Sequence, residues 1–340
     1  MTSTALEIDD LVVDYTTRHG TIRALDGASL SVESGQTIAI VGESGSGKST
    51  LGSVVGRLLP RNASITRGSV RVGGTELRTL SNREIVAVRR TALGFIPQDP
   101  IGSLDPTLRI GRQMALVLRQ LGRPSTTADL EHHLESVKLR DPQRVLRSYP
   151  SQISGGMAQR VAVAMAMARQ PRVLIADEPT AALDAQVREE VLTLIFSLAA
   201  ENGTAVLWLS HDLAAVSRWC SKVAVMYGGR VVEEGPSSAV LTLPSHPYTA
   251  ALVSAIPGTV GDGVRLKSIP GSPPILTGAA TGCAFAGRCD HADNSCFEIR
   301  PEAIDIGAQR SLCLHSNRLR DEHELVGTAS VSDDRRESSR

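Results

Sequence analysis

Aromatic residues are scarce: Phe, Trp and Tyr together make up 3% of the 340 residues. Surfaces that hold single-stranded nucleic acid stack bases on such rings, so this composition argues against one. A charge of one sign is equally missing. Lys+Arg and Asp+Glu stand at 36 each, leaving no global basic field for DNA or RNA. Lysine occurs only at Lys48, Lys138, Lys222 and Lys267, so nearly all the positive charge is arginine. No apolar run approaches the roughly 18 residues of a bilayer span. The segment Met1-Thr2-Ser3-Thr4-Ala5-Leu6-Glu7 has neither a basic region nor a following apolar block, and no secretory signal is expected there. These absences predict a cytoplasmic protein whose membrane part, if its process has one, lies on another chain. Cysteines number five, and in a reducing compartment clustered thiols bind metal more often than they form disulfides.

Apolar residues are plentiful, at 41%, enough for a sizeable core, and the length suits one large and one small domain. Leu6–Ile8, Leu11–Val13, Ser29–Val32 and Thr37–Val41 read as short strands separated by turns. A helix follows Thr50 and is expected to end near Leu58-Leu59-Pro60, since proline cannot continue it. Gly68–Gly74 reads as a further strand with its turn. Residues 108–148 carry apolar positions at helical spacing, among them Met114, Leu116, Val117, Leu118 and Leu121. Alternating units then resume: a helix to Arg169, the strand Val173–Ala176, a helix Ala185–Ala200 and the strand Thr204–Leu209. The expected class is α/β, a parallel sheet covered by helices and interrupted by an inserted helical subdomain. After about Gly235 prolines punctuate a loop-rich region carrying Cys283, Cys289, Cys296 and Cys313, expected to be a small domain that needs a staple. Residues 326–340 are polar and expected to be disordered.

Gly42-Glu43-Ser44-Gly45-Ser46-Gly47-Lys48-Ser49-Thr50 follows the apolar run Thr37–Val41 and fits the phosphate-loop pattern G-x-x-x-x-G-K-[ST] without a mismatch. Glycines let the backbone curl so that its N–H groups point inward, and the helix that begins there adds its positive end. Gly42, Ser44, Gly45, Ser46, Gly47, Lys48, Ser49 and Thr50 are the expected polyphosphate contacts. Lys48 can neutralise the outer phosphates, and the Ser49 hydroxyl can ligate Mg²⁺.

Val173-Leu174-Ile175-Ala176-Asp177-Glu178 is an apolar strand ending in two acids. Carboxylates at the C-terminal edge of a parallel strand, beside a phosphate loop, suit Mg²⁺ for Asp177 and polarisation of an attacking water for Glu178. Ser154-Gly155-Gly156 opens a second helix with free amides and a hydroxyl. This is either a second anion site, meeting a nucleotide bound to another subunit, or simply a helix capped by Ser154.

These segments resemble the ATP-binding cassette (ABC) family. Ile153–Arg160 looks like its signature sequence, placing Ser154, Gly155, Gly156 and Met157 on the ATP of a partner subunit. Gln98 in Gly94–Asp99 looks like the glutamine that touches Mg²⁺ and senses the membrane partner. Ala182-Leu183-Asp184 matches its D-loop, with Asp184 as the loop's acid. His211 in Trp208–Asp212 matches the switch histidine on the γ-phosphate, and Tyr15 stands where an aromatic stacks on adenine. The resemblance implies a P-loop NTPase with a RecA-like core, an N-terminal antiparallel β-subdomain and an inserted α-helical subdomain at about 99–160, all within 1–235. It implies ATP hydrolysis with Mg²⁺ by Glu178, His211, Gln98 and Lys48, in a head-to-tail dimer.

Gln98–Pro106, Tyr149–Gln152, Ile175–Thr180, His246–Thr249, Ile269–Pro274 and Gly282–Cys289 narrow the resemblance to the motors of di- and oligopeptide importers, a branch that includes nickel systems. Met157 and Leu58-Leu59-Pro60 resemble the D-type subunit. That implies an F-type ATPase partner (or a homodimer), two permeases, an extracytoplasmic solute-binding protein and no nucleic acid, with the chain peripheral on the cytoplasmic face of the membrane. In residues 236–325, Cys283, Cys289, Cys296 and Cys313 suit an iron–sulfur cluster or structural zinc, with His315 as a substitute zinc ligand. The resemblance favours a [4Fe–4S] cluster. Cys220 reads as a buried small apolar residue. Alternatives of function are import of nickel or another small solute, or a soluble cassette ATPase acting on nucleic acid or a protein complex.

Overall fold

The computed structural model describes residues 3–181, 183–255 and 269–317. Ala182, Lys267 and the tail 326–340 lie outside the described residues, as does part of the extension at 256–268 and 318–325.

Two sheets organise the chain. The first is antiparallel, in the order β2-β1-β4-β5, with β1 at Thr4–Thr17, β2 at Gly20–Glu33, β4 at Ala63–Val72 and β5 at Thr75–Glu76. The two short strands expected at Leu6–Ile8 and Leu11–Val13 are one strand, β1. Its pairing with β2 shifts register between Ile8 and Leu11, where Asp10 takes a positive φ of 44°. A bulge thus carries the strand across two aspartates that interrupt its apolar pattern.

The second sheet has eight strands, in the order β11-β12-β10-β9-β3-β8-β7-β6, with β10 at Arg230–Pro236, β11 at Ile304–Ile306 and β12 at Gln309–Ser311. At its centre β3 (Thr37–Val41) pairs in parallel with β8 (Ala205–Leu209) and β9 (Lys222–Tyr227), while β7 (Val173–Asp177) lies between β8 and β6 (Leu93–Ile96). Both faces are covered, so these strands read as continuous apolar runs. Ile38 and Ile40 enter the core shared with the antiparallel sheet, and Ala39 and Val41 the core beneath the helical layer.

Helix α1 (Lys48–Val55) follows β3 directly. It stops before the expected Leu58–Pro60, for a reason other than proline. Arg57 takes φ 54°, its N–H donates to the Val54 carbonyl, and the Leu58 N–H donates back to the Ser53 carbonyl at 2.7 Å. That is a left-handed helix end of the Schellman type. Helix α2 (Asn82–Thr91) then leads into β6 behind a capping box of Ser81 and Glu84. The helical block at 108–148 is three helices: α3 (Ile110–Gln120), α4 (Thr127–Ser136) and α5 (Pro142–Arg147). Of the apolar positions noted at helical spacing, Met114 and Leu118 are buried and Leu116 is exposed. Helix α6 (Gly155–Met167) joins the block to the sheet, and α7 (Ala185–Asn202) and α8 (Leu213–Trp219) complete the alternation.

Beyond β10 (Arg230–Pro236) come α9 (Ser237–Thr242), α10 (Pro247–Ser254), α11 (Asn294–Glu298), β11 (Ile304–Ile306) and β12 (Gln309–Ser311). This extension does not stand apart. β12 pairs antiparallel with β10, so the last strands continue the central sheet. Arg300 also reaches back to Asp26 of β2 at 2.6 Å, a carboxylate only 1% exposed that Arg23 contacts at 3.2 Å. Among the described residues no helix is long and apolar enough to cross a membrane.

Candidate functional site

The loop between β3 and α1 has a shape that only glycine permits at two points. Gly42 has φ 150°, and a Cβ there would collide with the Met226 carbonyl of β9. At Gly47, with φ 107°, a Cβ would sit 2.7 Å from the Ala24 carbonyl. The loop is therefore wedged between neighbouring strands. Lys48 begins α1, is 8% exposed, and donates from Nζ to the carbonyls of Gly42 (2.7 Å) and Glu43 (2.9 Å). Burial pulls its pKa below that of a free lysine, opposed by the carboxylates of Glu178, Asp177 and Glu43. Among the described residues it forms no ion pair, so a charged ammonium rests on two carbonyls.

β7 delivers the acids. Burial and the neighbouring Glu178 raise the Asp177 carboxyl above its ordinary range, while Lys48 and a hydrogen bond with Ser49 act in the opposite direction. Glu178 turns out of the strand with φ 42°, its N–H donating to the Leu209 carbonyl at 3.0 Å. Its Oε2 accepts from Gln98 Nε2 at 3.2 Å, and its Oε1 lies 3.2 Å from His211 Nδ1. Lys48, Ser49, Thr50, Gln98, Glu178 and His211 all line one cavity of about 670 Å³. Tyr15 is not in that lining, but its hydroxyl lies 3.3 Å from Thr50 Oγ1.

The second glycine-rich helix start is elsewhere. None of Ser154, Gly155, Gly156 and Met157 lines the cavity. Ser154 caps α6, its Oγ accepting from the Met157 N–H at 3.3 Å. A Cβ on Gly156 would meet Val187 of α7 at 2.9 Å. Asp184, exposed, caps α7 by accepting from the Val187 N–H at 3.0 Å.

Sequence reasoning assigned no site role to Tyr248, Leu252 or Arg288, all from the extension. Leu252 lines the cavity, and Tyr248 and Arg288 both bond Glu43 of the phosphate loop. Their segments stood out only by resemblance, because nothing in the local pattern signals a partner more than 200 residues away.

The expected iron–sulfur cluster does not fit. Four thiolates would have to converge, yet the one group of metal-capable side chains found among the described residues is Asp293, Cys296 and His315, with donor atoms within 4.8 Å of one another. Cys283, Cys289 and Cys313 are not in it, so a four-cysteine zinc site lacks the same convergence. Their thiols are pushed up by burial, that of Cys313 to about 11. Cys220 is 4% exposed with its thiol raised to about 12, as expected of a buried apolar residue.

Comparison with known proteins agrees with the geometry. Residues 25–181 match the family model for ABC transporters, and residues 232–296 that for the oligopeptide/dipeptide transporter C-terminal region. The chain is 41% identical to a probable peptide ABC transporter ATP-binding protein of Sinorhizobium fredii, covering 92% of this chain and 96% of that one. It is 38% identical to the oligopeptide transport ATP-binding protein OppD of Salmonella typhimurium, covering 90% and 92%. Among solved structures, a dimeric ATP-binding cassette in a post-hydrolysis state with ADP and Pi matches with a TM-score of 0.61 and 29% identity. That match covers 68% of this chain and 98% of the cassette. Phosphate loop, acid pair, sheet order and relatives agree: this chain belongs to the ABC transporter ATP-binding family.

Proposed function

We propose that the chain is the ATP-hydrolysing motor of an importer for di- or oligopeptides. The observation that carries this reading is the convergence of Lys48, Gln98, Glu178 and His211 on one cavity beside the phosphate loop. In this reading the loop residues Gly42, Ser44, Gly45, Ser46, Gly47, Lys48 and Thr50 cradle the phosphates of ATP, and Tyr15, beside the cavity, faces the adenine. Ser49, Asp177 and Gln98 would hold Mg²⁺, which supplies neutralisation of the β- and γ-phosphate charge. Glu178 accepts the proton of a water whose oxygen bonds the γ-phosphorus as the bond to the β-phosphate oxygen breaks. His211 orients Glu178 and reaches the γ-phosphate.

Ser154, Gly155, Gly156 and Met157 stand outside the cavity, which supports their serving the nucleotide of a second cassette, with Asp184 at the seam. The F-type partner and, failing that, a second copy of this chain are the candidates. Two permeases and a solute-binding protein complete the assembly, with this chain peripheral on the cytoplasmic face. Residues 1–235 act as the nucleotide-binding unit and 236–325 as its extension. The peptide-transport names of the relatives favour peptides over nickel as cargo. The test is ATP turnover by the chain reconstituted with its permeases and partner ATPase, with peptide uptake followed in the same vesicles. Turnover without peptide-stimulated uptake would reject the cargo, and no turnover would reject the motor.

A further inference from the structure

Glu43 is the second residue of the phosphate loop, and every polar group it owns is engaged. Its carbonyl accepts from Lys48 Nζ at 2.9 Å and from the Ser46 N–H at 3.2 Å. Its N–H donates to the Tyr248 hydroxyl at 2.8 Å. Its carboxylate takes a two-pronged grip from Arg288, with Nη1 to Oε2 at 2.7 Å and Nη2 to Oε1 at 3.1 Å. Two of these four partners, Tyr248 and Arg288, come from the C-terminal extension, 205 and 245 residues away in sequence.

Arg288 is itself firmly held. Its side chain is 8% exposed. Nε donates to the Pro270 carbonyl at 2.6 Å and Nη1 to the Tyr227 hydroxyl at 3.1 Å. The guanidinium carbon stands 5.7 Å from the Tyr227 ring centroid and 5.9 Å from that of Phe285. Tyr227, Tyr248 and Phe285 pack against one another, and Tyr227 ends β9, whose preceding residue Met226 abuts Gly42. A planar, bidentate pair of this kind fixes orientation as well as distance.

We infer that Arg288, with Tyr248, is a positioning residue for nucleotide binding: the C-terminal extension clamps Glu43 and thereby fixes the loop turn on which Lys48 rests. The inference deepens the ATPase reading and rests on it. The Tyr248 hydroxyl occupies the Glu43 amide, so that amide does not compete for phosphate. The Arg288 grip holds the Glu43 carbonyl in the position from which Lys48 must transfer to a phosphate oxygen. Released, the loop gains alternative conformations and each binding event must order it again. The extension is then part of the nucleotide site in cis, although among its described residues only the apolar Leu252 lines the cavity.

The experiment measures binding of a fluorescent ADP analogue with Mg²⁺ to the full chain carrying Arg288→Ala, Glu43→Gln, both together, or Tyr248→Phe. Arg288→Ala and Glu43→Gln should each weaken binding about tenfold, and the double variant no more than either alone, because the two changes remove one interaction. Arg288→Lys should restore only part of the loss, since an ammonium cannot reproduce the fork. Hydrogen exchange at the amides of residues 43–48 should speed up in Arg288→Ala without any nucleotide present. A structural pairing alone would lower the melting temperature yet leave affinity and loop exchange unchanged, and that result overturns the inference. So would losses that add in the double variant. If Arg288→Ala does not fold, Glu43→Gln and Tyr248→Phe, each missing one attachment, decide the matter by the same two measurements. Wild type failing to bind nucleotide would reject the ATPase reading instead, while the exchange comparison still tests the clamp.

Discussion

His211 Nδ1 lies 3.2 Å from Glu178 Oε1, so the second residue beyond β8 reaches the residue after β7 in the lining of the cavity. The other oxygen of Glu178 accepts from Gln98, beyond the end of β6. The two strands that flank β7, β6 and β8, thus each lead to one polar side chain that meets this carboxylate. Opposing partners on both oxygens restrict its rotation and aim it into the cavity.

If Glu178 takes the proton of the attacking water, Glu178→Gln keeps the shape and loses the base. ATP turnover should fall by about 100-fold or more, the usual range for removing a general base. Nucleotide affinity should stay within a few-fold of wild type. Steady-state phosphate release, with a separate binding titration, checks both halves, and unchanged turnover would remove Glu178 from the mechanism.

Asp177 has its carboxyl raised by burial and by Glu178, with Lys48 and Ser49 opposing. A divalent cation beside it would favour the ionised form. Asp177→Asn should therefore raise the Mg²⁺ concentration needed for half-maximal turnover, and Ser49→Ala should do the same. An identical Mg²⁺ dependence in both variants would place the ion elsewhere.

Ser154 contributes to stability as well as to the proposed dimer. Removing its cap on α6 with Ser154→Ala should cost about 1 kcal/mol of folding free energy. In a Glu178→Gln background, ATP should drive association with the partner cassette, read by analytical ultracentrifugation. Adding Ser154→Ala should abolish that association. Equal association with and without the hydroxyl would separate α6 from the composite site.

Glu233, fully buried on β10, accepts from the N–H groups of Ser245 at 2.7 Å and His246 at 3.0 Å. Burial nevertheless dominates and lifts its carboxyl from 4.5 to about 7. His246 beside it is also buried, its pKa lowered to about 3, so it remains neutral as Glu233 titrates. The folded state then holds a proton that the unfolded state releases. Its contribution is present in full below about pH 4.5 and is lost as pH rises to about 7, on the order of 3 kcal/mol across that window. Melting temperatures between pH 5 and 7.5 should show this fall in wild type and lose it in Glu233→Gln. Parallel curves for the two proteins would refute it.

The candidate site was legible wherever its chemistry is local. The phosphate loop needs glycines, a lysine and a hydroxyl in consecutive positions. The acids Asp177 and Glu178 need an apolar strand that stops abruptly. Sequence carries both signals directly. The end of α1 was misplaced because Arg57 adopts a left-handed turn usually left to glycine, so no residue type marks it. β11 and β12, three residues each, have too few positions for a period to show, and they become strands through tertiary pairing, β12 with β10 and β11 with β12. The four cysteines were grouped by their thiol chemistry and by the family resemblance, whereas among the described residues the donor atoms that converge are those of Asp293, Cys296 and His315. The contacts of Glu43 with Tyr248 and Arg288 arise from tertiary folding alone.

The pairing of β12 with β10 has a bearing on how the chain can be divided. At that end of the eight-stranded sheet the backbone groups of β10 are covered by a short strand from the chain's own extension. A cassette cut after Pro236 would keep β10 but bare its outer rim of unpaired N–H and C=O groups, a template for intermolecular strand addition. Such a fragment should self-associate as its concentration rises, visible by light scattering. The extension thus acts as a built-in guard against aggregation.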